Sequence, residues 1–161
     1  MISIFNPVKV FKDEFSSSWS SNIKTSKNGS NKIPINKNTN PPTLVLDAMP
    51  SVEYFSGVLP INRDWKETDL SSYKHLKFNI STSKTEYPDV KVIMVSKKDD
   101  IDVDSNSISL AEYGLMEGCE QEFIIPIEEF KGDGFDNSKV RTIKFIGGGN
   151  FSTTLSGIVI E

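Results

Sequence analysis

Cysteine and histidine are almost missing from this chain: Cys119 and His75 are the only ones among its 161 residues. A single cysteine excludes an intrachain disulfide, and one residue of each kind cannot supply the nitrogen and sulfur ligands of a zinc or copper centre. A nucleophilic Cys-His pair is formally present, but neither residue stands in a catalytic motif. No apolar run approaches the roughly 18–20 residues of a membrane helix, so no membrane span is expected. A surplus of positive charge is lacking too. Eighteen Lys and Arg against 22 Asp and Glu leave a formal charge of −4, which gives nucleic acid or anionic lipid no concentrated basic surface to bind. The opening MISIFNPVKV has neither the basic n-region nor the continuous apolar stretch of a signal peptide. The expectation is a cytoplasmic protein, or else a piece of a larger exported or cell-surface protein.

What remains is ordinary globular material, with 37% hydrophobic and 25% charged residues. A chain of this length buries roughly 68–70% of its unfolded surface and needs no disulfide to form a core. One domain over residues 1–161 is expected. Short apolar or alternating runs rich in Val, Ile, Phe and Thr recur at 8–11, 43–47, 52–59, 74–80, 90–96, 107–110, 121–127, 140–146 and 155–160. None sustains the 3.6-residue spacing of a helix. The pattern predicts an all-β fold, a jelly-roll β-sandwich of two antiparallel sheets. Residues 16–42, rich in Ser and Asn, read as loop, with Ile23, Ile33 and Ile35 as anchors for a short edge strand. Residues 97–106, 132–138 and 147–150 read as three further loops, the last a hairpin.

Alternation assigns faces. Leu76, Phe78 and Ile80 share one side of their strand and Tyr73, His75, Lys77 and Asn79 the other; Ile143 and Phe145 oppose Thr142, Lys144 and Ile146. The predicted core is Leu76, Phe78, Ile80, Phe123, Ile125, Ile143 and Phe145. The final run alternates poorly.

Few patterns carry chemistry. Asp100, Asp102, Asp104 and Asn106 have the opening rhythm of a calcium loop, but Ser105 and Ala111 stand where the turn glycine and the bidentate Glu belong, and a solvated acidic hairpin loop is the plainer reading. The Gly147-Gly-Gly149 tract lacks the spacing and the following helix of a phosphate cradle. No pair of carboxylates declares itself as acid and base, so no enzyme is expected. Aromatics are better placed. Tyr54, Phe55, Trp65, Tyr73, Tyr87 and Tyr113 fall in or beside strand ends, where a flat ring with polar neighbours can take the apolar face of a sugar.

Several phrases resemble the β-sandwich carbohydrate-binding modules of galactose-binding-like jelly-roll fold, family eleven in particular. Asp13-Glu14-Phe15 with Trp19 resembles that family's Asp-Asp-Phe-Glu and Trp. Tyr54-Phe-Ser-Gly-Val58 is similar to its Tyr-Trp-Gly-x-Val, and Asp64-Trp65 leading into residues 73–80 resembles its Asp-Trp and the strand that follows. Phe123-Ile-Ile-Pro-Ile-Glu-Glu-Phe130 is similar to its Ile-Pro-Phe-x-x-Phe, and residues 140–146 to the next strand. The resemblance implies a non-catalytic module that binds a β-glucan-like polysaccharide or oligosaccharide on one sheet face and adjoining loops, attached to or associated with a larger enzyme or surface assembly. Tyr54 would be its binding Tyr, with Lys144 and Arg141 at polar face positions. His75, Trp19 and Tyr113 complete the expected contact set, in which Tyr54, His75, Arg141 and Lys144 share one exposed face. No cofactor is implied beyond a structural calcium, for which Asp13 and Glu14 would be ligands. Two departures stand out. Leu155-Ser-Gly-Ile158 replaces a Val-Asp-Asn-Ile whose aspartate serves that calcium, and Gly147 stands where a stacking Tyr belongs. The alternative is a structural or protein-interaction domain of the same fold without the sugar site.

Overall fold

The computed structural model describes residues 7–11, 22–25, 31–32, 35–36, 38–39, 42–46, 54–61, 66–83, 90–116, 118–148 and 152–161. Their strands are β1 (Val8–Phe11), β2 (Asn22–Thr25), β3 (Asn31–Lys32), β4 (Ile35–Asn36), β5 (Thr43–Val45), β6 (Tyr54–Pro60), β7 (His75–Ser83), β8 (Val90–Lys98), β9 (Ile101–Asp104), β10 (Ile108–Ser109), β11 (Glu120–Pro126), β12 (Val140–Gly148) and β13 (Ser152–Ile160). Among the described residues, helix is confined to one 3-10 turn, Ile127–Glu129. One sheet runs β11-β7-β13-β5-β4 with β1 also on β13; the other runs β10-β8-β12-β6-β2-β3 with β9 also on β8. Every pairing is antiparallel.

The core is the set of inward rows that alternation predicts. Leu76, Phe78, Ile125, Ile143 and Phe145 are fully buried, Ile80 is 1% exposed and Phe123 5%. The Phe78 ring stacks on Phe123 at 5.9 Å within one sheet and meets Phe145 of the other edge-on at 5.2 Å, so it joins the two layers. The irregular last run has a cause. The pairing of β13 with β7 slips between Ser156 and Val159, and Gly157 there takes φ +57. The bulge shifts the inward set from Thr153 and Leu155 to Ile158 and Ile160.

Four expectations change. The stretch 16–42, read as loop with one short edge strand, holds three strands: β2 lies between β6 and β3 in one sheet, and β4 lies beside β5 in the other. Residues 97–106 are not a loop: Lys98 pairs with Ile101 across a two-residue turn in which Asp99 and Asp100 have φ of 51° and 63°. Both central residues have the positive φ of a type I′ hairpin turn, which aspartate tolerates better than most side chains. The strand β9 that follows carries Asp102 and Asp104 on one side, so their every-second spacing is a strand rhythm and not that of a calcium loop. The hairpin expected at 147–150 does not join paired strands, because β12 continues to Gly148 and β13 belongs to the other sheet; Gly149 and Asn150 lie outside the described residues. Tyr73 precedes β7 and packs, partly buried, against the core instead of extending that strand's outward row.

Candidate functional site

The outward face of the second sheet is set by its registers, since residues directly opposite in antiparallel strands share a side. Lys144 on β12 stands opposite Val58 of β6 and Ile93 of β8. One step along, Ile146 stands between Ser56 and Lys91, and Lys91 in turn faces Ser109 of β10. These rows are about 4.8 Å apart from strand to strand. Most of their side chains are half-buried: Ser56, Val58, Ile93, Lys144 and Ile146 all are, while Lys91 is exposed.

Strict alternation would put Arg141 and Lys144, three residues apart, on opposite sides of β12. The register slips between Val140 and Thr142, and the added residue is Arg141. A bulge of this kind turns a side chain that the pleat would have sent inward. As a result, both cations reach the same neighbour. Arg141 Nη1 donates to Asp102 Oδ1 at 2.9 Å, and Lys144 Nζ lies 3.4 Å from Asp104 Oδ1. Both contacts pass from β12 to β9 over β8, which lies between them. Val95, on the outward row of β8 opposite Thr142 and Asp104, is only 2% exposed. The aliphatic stems of a lysine and an arginine stretched over that strand account for its burial. Two cations and two anions thus balance locally on a half-buried polar surface.

The expected contact residues divide between the two sheets. Tyr54 begins β6 in register with Gly148, at the far end of the rows that carry Lys144 and Ile146. His75 opens β7 of the other sheet, opposite Pro126, and exchanges backbone hydrogen bonds with Glu161. The single face expected for Tyr54, His75, Arg141 and Lys144 therefore does not form: the sandwich separates His75 from the other three. Tyr113 lies in the turn after β10, 43% exposed. Partial burial, then the carboxylates of Glu129 and Glu112, push its phenol upward from the ordinary value of 10.0. That places it beside the 3-10 turn rather than over β12. Trp19, Asp13 and Glu14 lie outside the described residues, as do Trp65 and Tyr87. Among the described residues no three His, Cys, Asp or Glu side chains group to hold a metal. Cys119 is exposed and precedes Glu120, the partner of Ser81, whereas His75 is at the other end of β7; the two are about 20 Å apart along the strand, too far to act together.

Asp102 and Asp104 belong to this surface and were not among the expected contact residues. Their signal was in the sequence, as alternation with Ile101 and Val103, but the acidity of the segment concealed it.

The model of the family described as carbohydrate binding domain 30 matches residues 7–161. The chain belongs to that family. It is a non-catalytic carbohydrate-binding module. No curated protein matches the module in sequence. Among solved structures, the family 30 module of the cellulosomal cellulase Cel9D-Cel44B of Clostridium thermocellum superposes with a TM-score of 0.78 at 22% identity, covering 98% of both chains. The family 11 module of the cellulosomal cellulase Lic26A-Cel5E from the same organism gives 0.63 at 13% identity, over 98% of the module and 95% of that chain. A family 11 module from that organism, in complex with a β-1,3-1,4-mixed-linked tetrasaccharide, gives 0.56 at 12% identity, over 89% and 84%. At these identities the likeness is one of fold. The resemblance to family eleven read from the sequence is thus a likeness of architecture, and the family itself is thirty.

Proposed function

We propose that the module binds a linear β-glucan along the outward face of β6, β12 and β8, as the polysaccharide-targeting part of a larger exported enzyme or cell-surface assembly. The observation that carries this reading is the pair of cations on β12. Arg141 and Lys144 are held by Asp102 and Asp104, so their donors are already oriented. Fixed polar groups cost less ordering entropy on binding than free ones. The same strands bring Tyr54 into register at the other end of those rows, and an aromatic ring with convergent polar groups suits a neutral sugar. Two likenesses support the ligand class and the setting: the family 11 structure that holds a mixed-linked tetrasaccharide, and the cellulosomal origin of the family 30 relative.

Affinity electrophoresis and calorimetry with soluble mixed-linkage β-glucan test the site. Tyr54→Ala is expected to weaken binding by roughly 1–3 kcal/mol with an unchanged melt, because its register position falls on the outward row, where a ring serves stacking rather than core packing. Lys144→Ala should weaken binding as well. A melt that collapses in Tyr54→Ala, or a wild-type module blind to every β-glucan, overturns the site.

A further inference from the structure

The end of the sandwich beneath the β8–β9 turn holds a cleft of about 750 Å³. Its walls come from two segments, the turn itself and the stretch from Glu128 to Lys139 that leads into β12. The volume lies within the usual range for small-ligand sites. Four lysines line the cleft, Lys97, Lys98, Lys131 and Lys139, in a chain whose net charge is −4. Among the described residues, Lys97 pairs with Asp100 at 3.6 Å, while Lys98, Lys131 and Lys139 enter no ion pair.

Three acidic side chains also line the cleft, Asp99, Glu128 and Asp136. Asp136 is already committed. Its Oδ1 accepts from the Ser138 hydroxyl at 2.6 Å and from the Ser138 backbone N–H at 2.9 Å. Those two bonds hold its carboxyl below the ordinary 3.8, and Lys139 lowers it further against the opposing effects of burial. Glu128 is exposed, and Asp99 sits on the exposed turn. The wall is rigid: Asp136 N–H donates to Ser96 Oγ at 3.1 Å, Lys97 N–H to the Lys139 carbonyl at 3.0 Å, and Lys131 N–H to Asn106 Oδ1 at 2.9 Å. Phe130 is nearly buried at 3%, and Phe135 is half-buried on the wall. The ring of Phe135 beside ammonium groups of which Lys98 and Lys131 enter no ion pair among the described residues, on backbone held by those hydrogen bonds, is complementary to a sugar ring that bears a carboxylate.

We propose that this cleft is a second binding site of the module, for a uronic-acid residue of an acidic oligosaccharide. It is distinct from the sheet face, where every cation on β12 has an aspartate. The half-buried ring of Phe135 favours a sugar over an acidic peptide, whose extended backbone presents no ring face to stack.

The full chain is titrated calorimetrically with a xylo-oligosaccharide bearing one glucuronic acid branch, with the neutral oligosaccharide of equal length, and with a short polyglutamate. The acidic oligosaccharide should bind roughly fivefold or more tighter than the neutral one, as expected of two partly screened charge contacts, and raising the salt should erase the difference. Lys131→Gln/Lys139→Gln should lose the preference, as should Lys98→Gln in part, all with wild-type melts. Tyr54→Ala should keep it, which separates this site from the sheet face. Equal binding of the two oligosaccharides, no binding of either, a preference that survives the lysine substitutions, or polyglutamate binding as tightly as the acidic sugar would each overturn the proposal.

Discussion

Asp102 on β9 accepts a 2.9 Å hydrogen bond from Arg141 on β12, across the full width of β8. With Lys144 and Asp104 beside it, the pair ties the hairpin that ends the sheet to a strand in its middle.

The strength of that tie is modest because Asp102 is 61% exposed against 24% for Arg141. Asp102→Asn should lower stability by less than about 1 kcal/mol, with the loss shrinking in high salt. Urea denaturation at two ionic strengths measures it. A larger loss of glucan affinity than of stability would mark Asp102 as a residue that positions Arg141 for the ligand.

Phe78 joins the two layers through Phe123 and Phe145. Phe78→Ala should cost about 3–5 kcal/mol, from lost transfer energy and the cavity left behind. Phe78→Leu, which keeps most of the volume, should cost much less. Chemical denaturation of both variants checks the ratio.

Gly157 makes the β13 bulge at φ +57, and a Cβ there would lie 3.1 Å from Asn79 Nδ2. Gly157→Ala should destabilise by about 1–2 kcal/mol, mainly through the left-handed backbone. Adding Asn79→Ala relieves the contact but not the backbone cost, so the double variant should recover only part of the loss in a thermal melt.

Acid sensitivity should trace to two serine-capped aspartates. Hydrogen bonds from the hydroxyl and N–H of Ser71 hold Asp69 below its ordinary 3.8, as Ser138 does for Asp136. A carboxyl depressed in the folded state stabilises the fold above its unfolded pKa and loses that contribution as pH falls through the folded value. The melting temperature should therefore drop below pH 3.8. Ser71→Ala and Ser138→Ala should flatten that acid limb while leaving the slope at neutral pH unchanged.

Calcium at Asp13 and Glu14 is tested by melting with calcium and with magnesium. With Ser156-Gly157 at the end of the chain, no calcium-specific rise is expected; a rise of several degrees would assign a structural ion to those residues.

Most strands were legible because burial on one face imposes a period of two, and that period is written in Leu76, Phe78 and Ile80 as plainly as in Ile143 and Phe145. Of the strands that lie in segments read as loop, β9 has no buried row to announce it: Ile101 is 66% exposed and its aspartates face solvent. Its acidic composition resembled a loop. Poor alternation in the last run was itself a signal, since a bulge resets the phase and needs a residue such as Gly157 to do so.

By itself the sequence determined the all-β class, the inward rows and the kinship with carbohydrate-binding modules, because each depends on local periodicity or on short runs of neighbouring residues. Only the tertiary structure decided which strands share a sheet. That pairing is set by contacts distant in sequence, so nothing near His75 could reveal that it stands on the opposite layer from Arg141 and Lys144. The same holds for the bulge that brings Arg141 beside Lys144 and for the aspartates that hold them, since cross-strand partners 39 and 40 residues apart are chosen by register, and register is a property of the whole sheet.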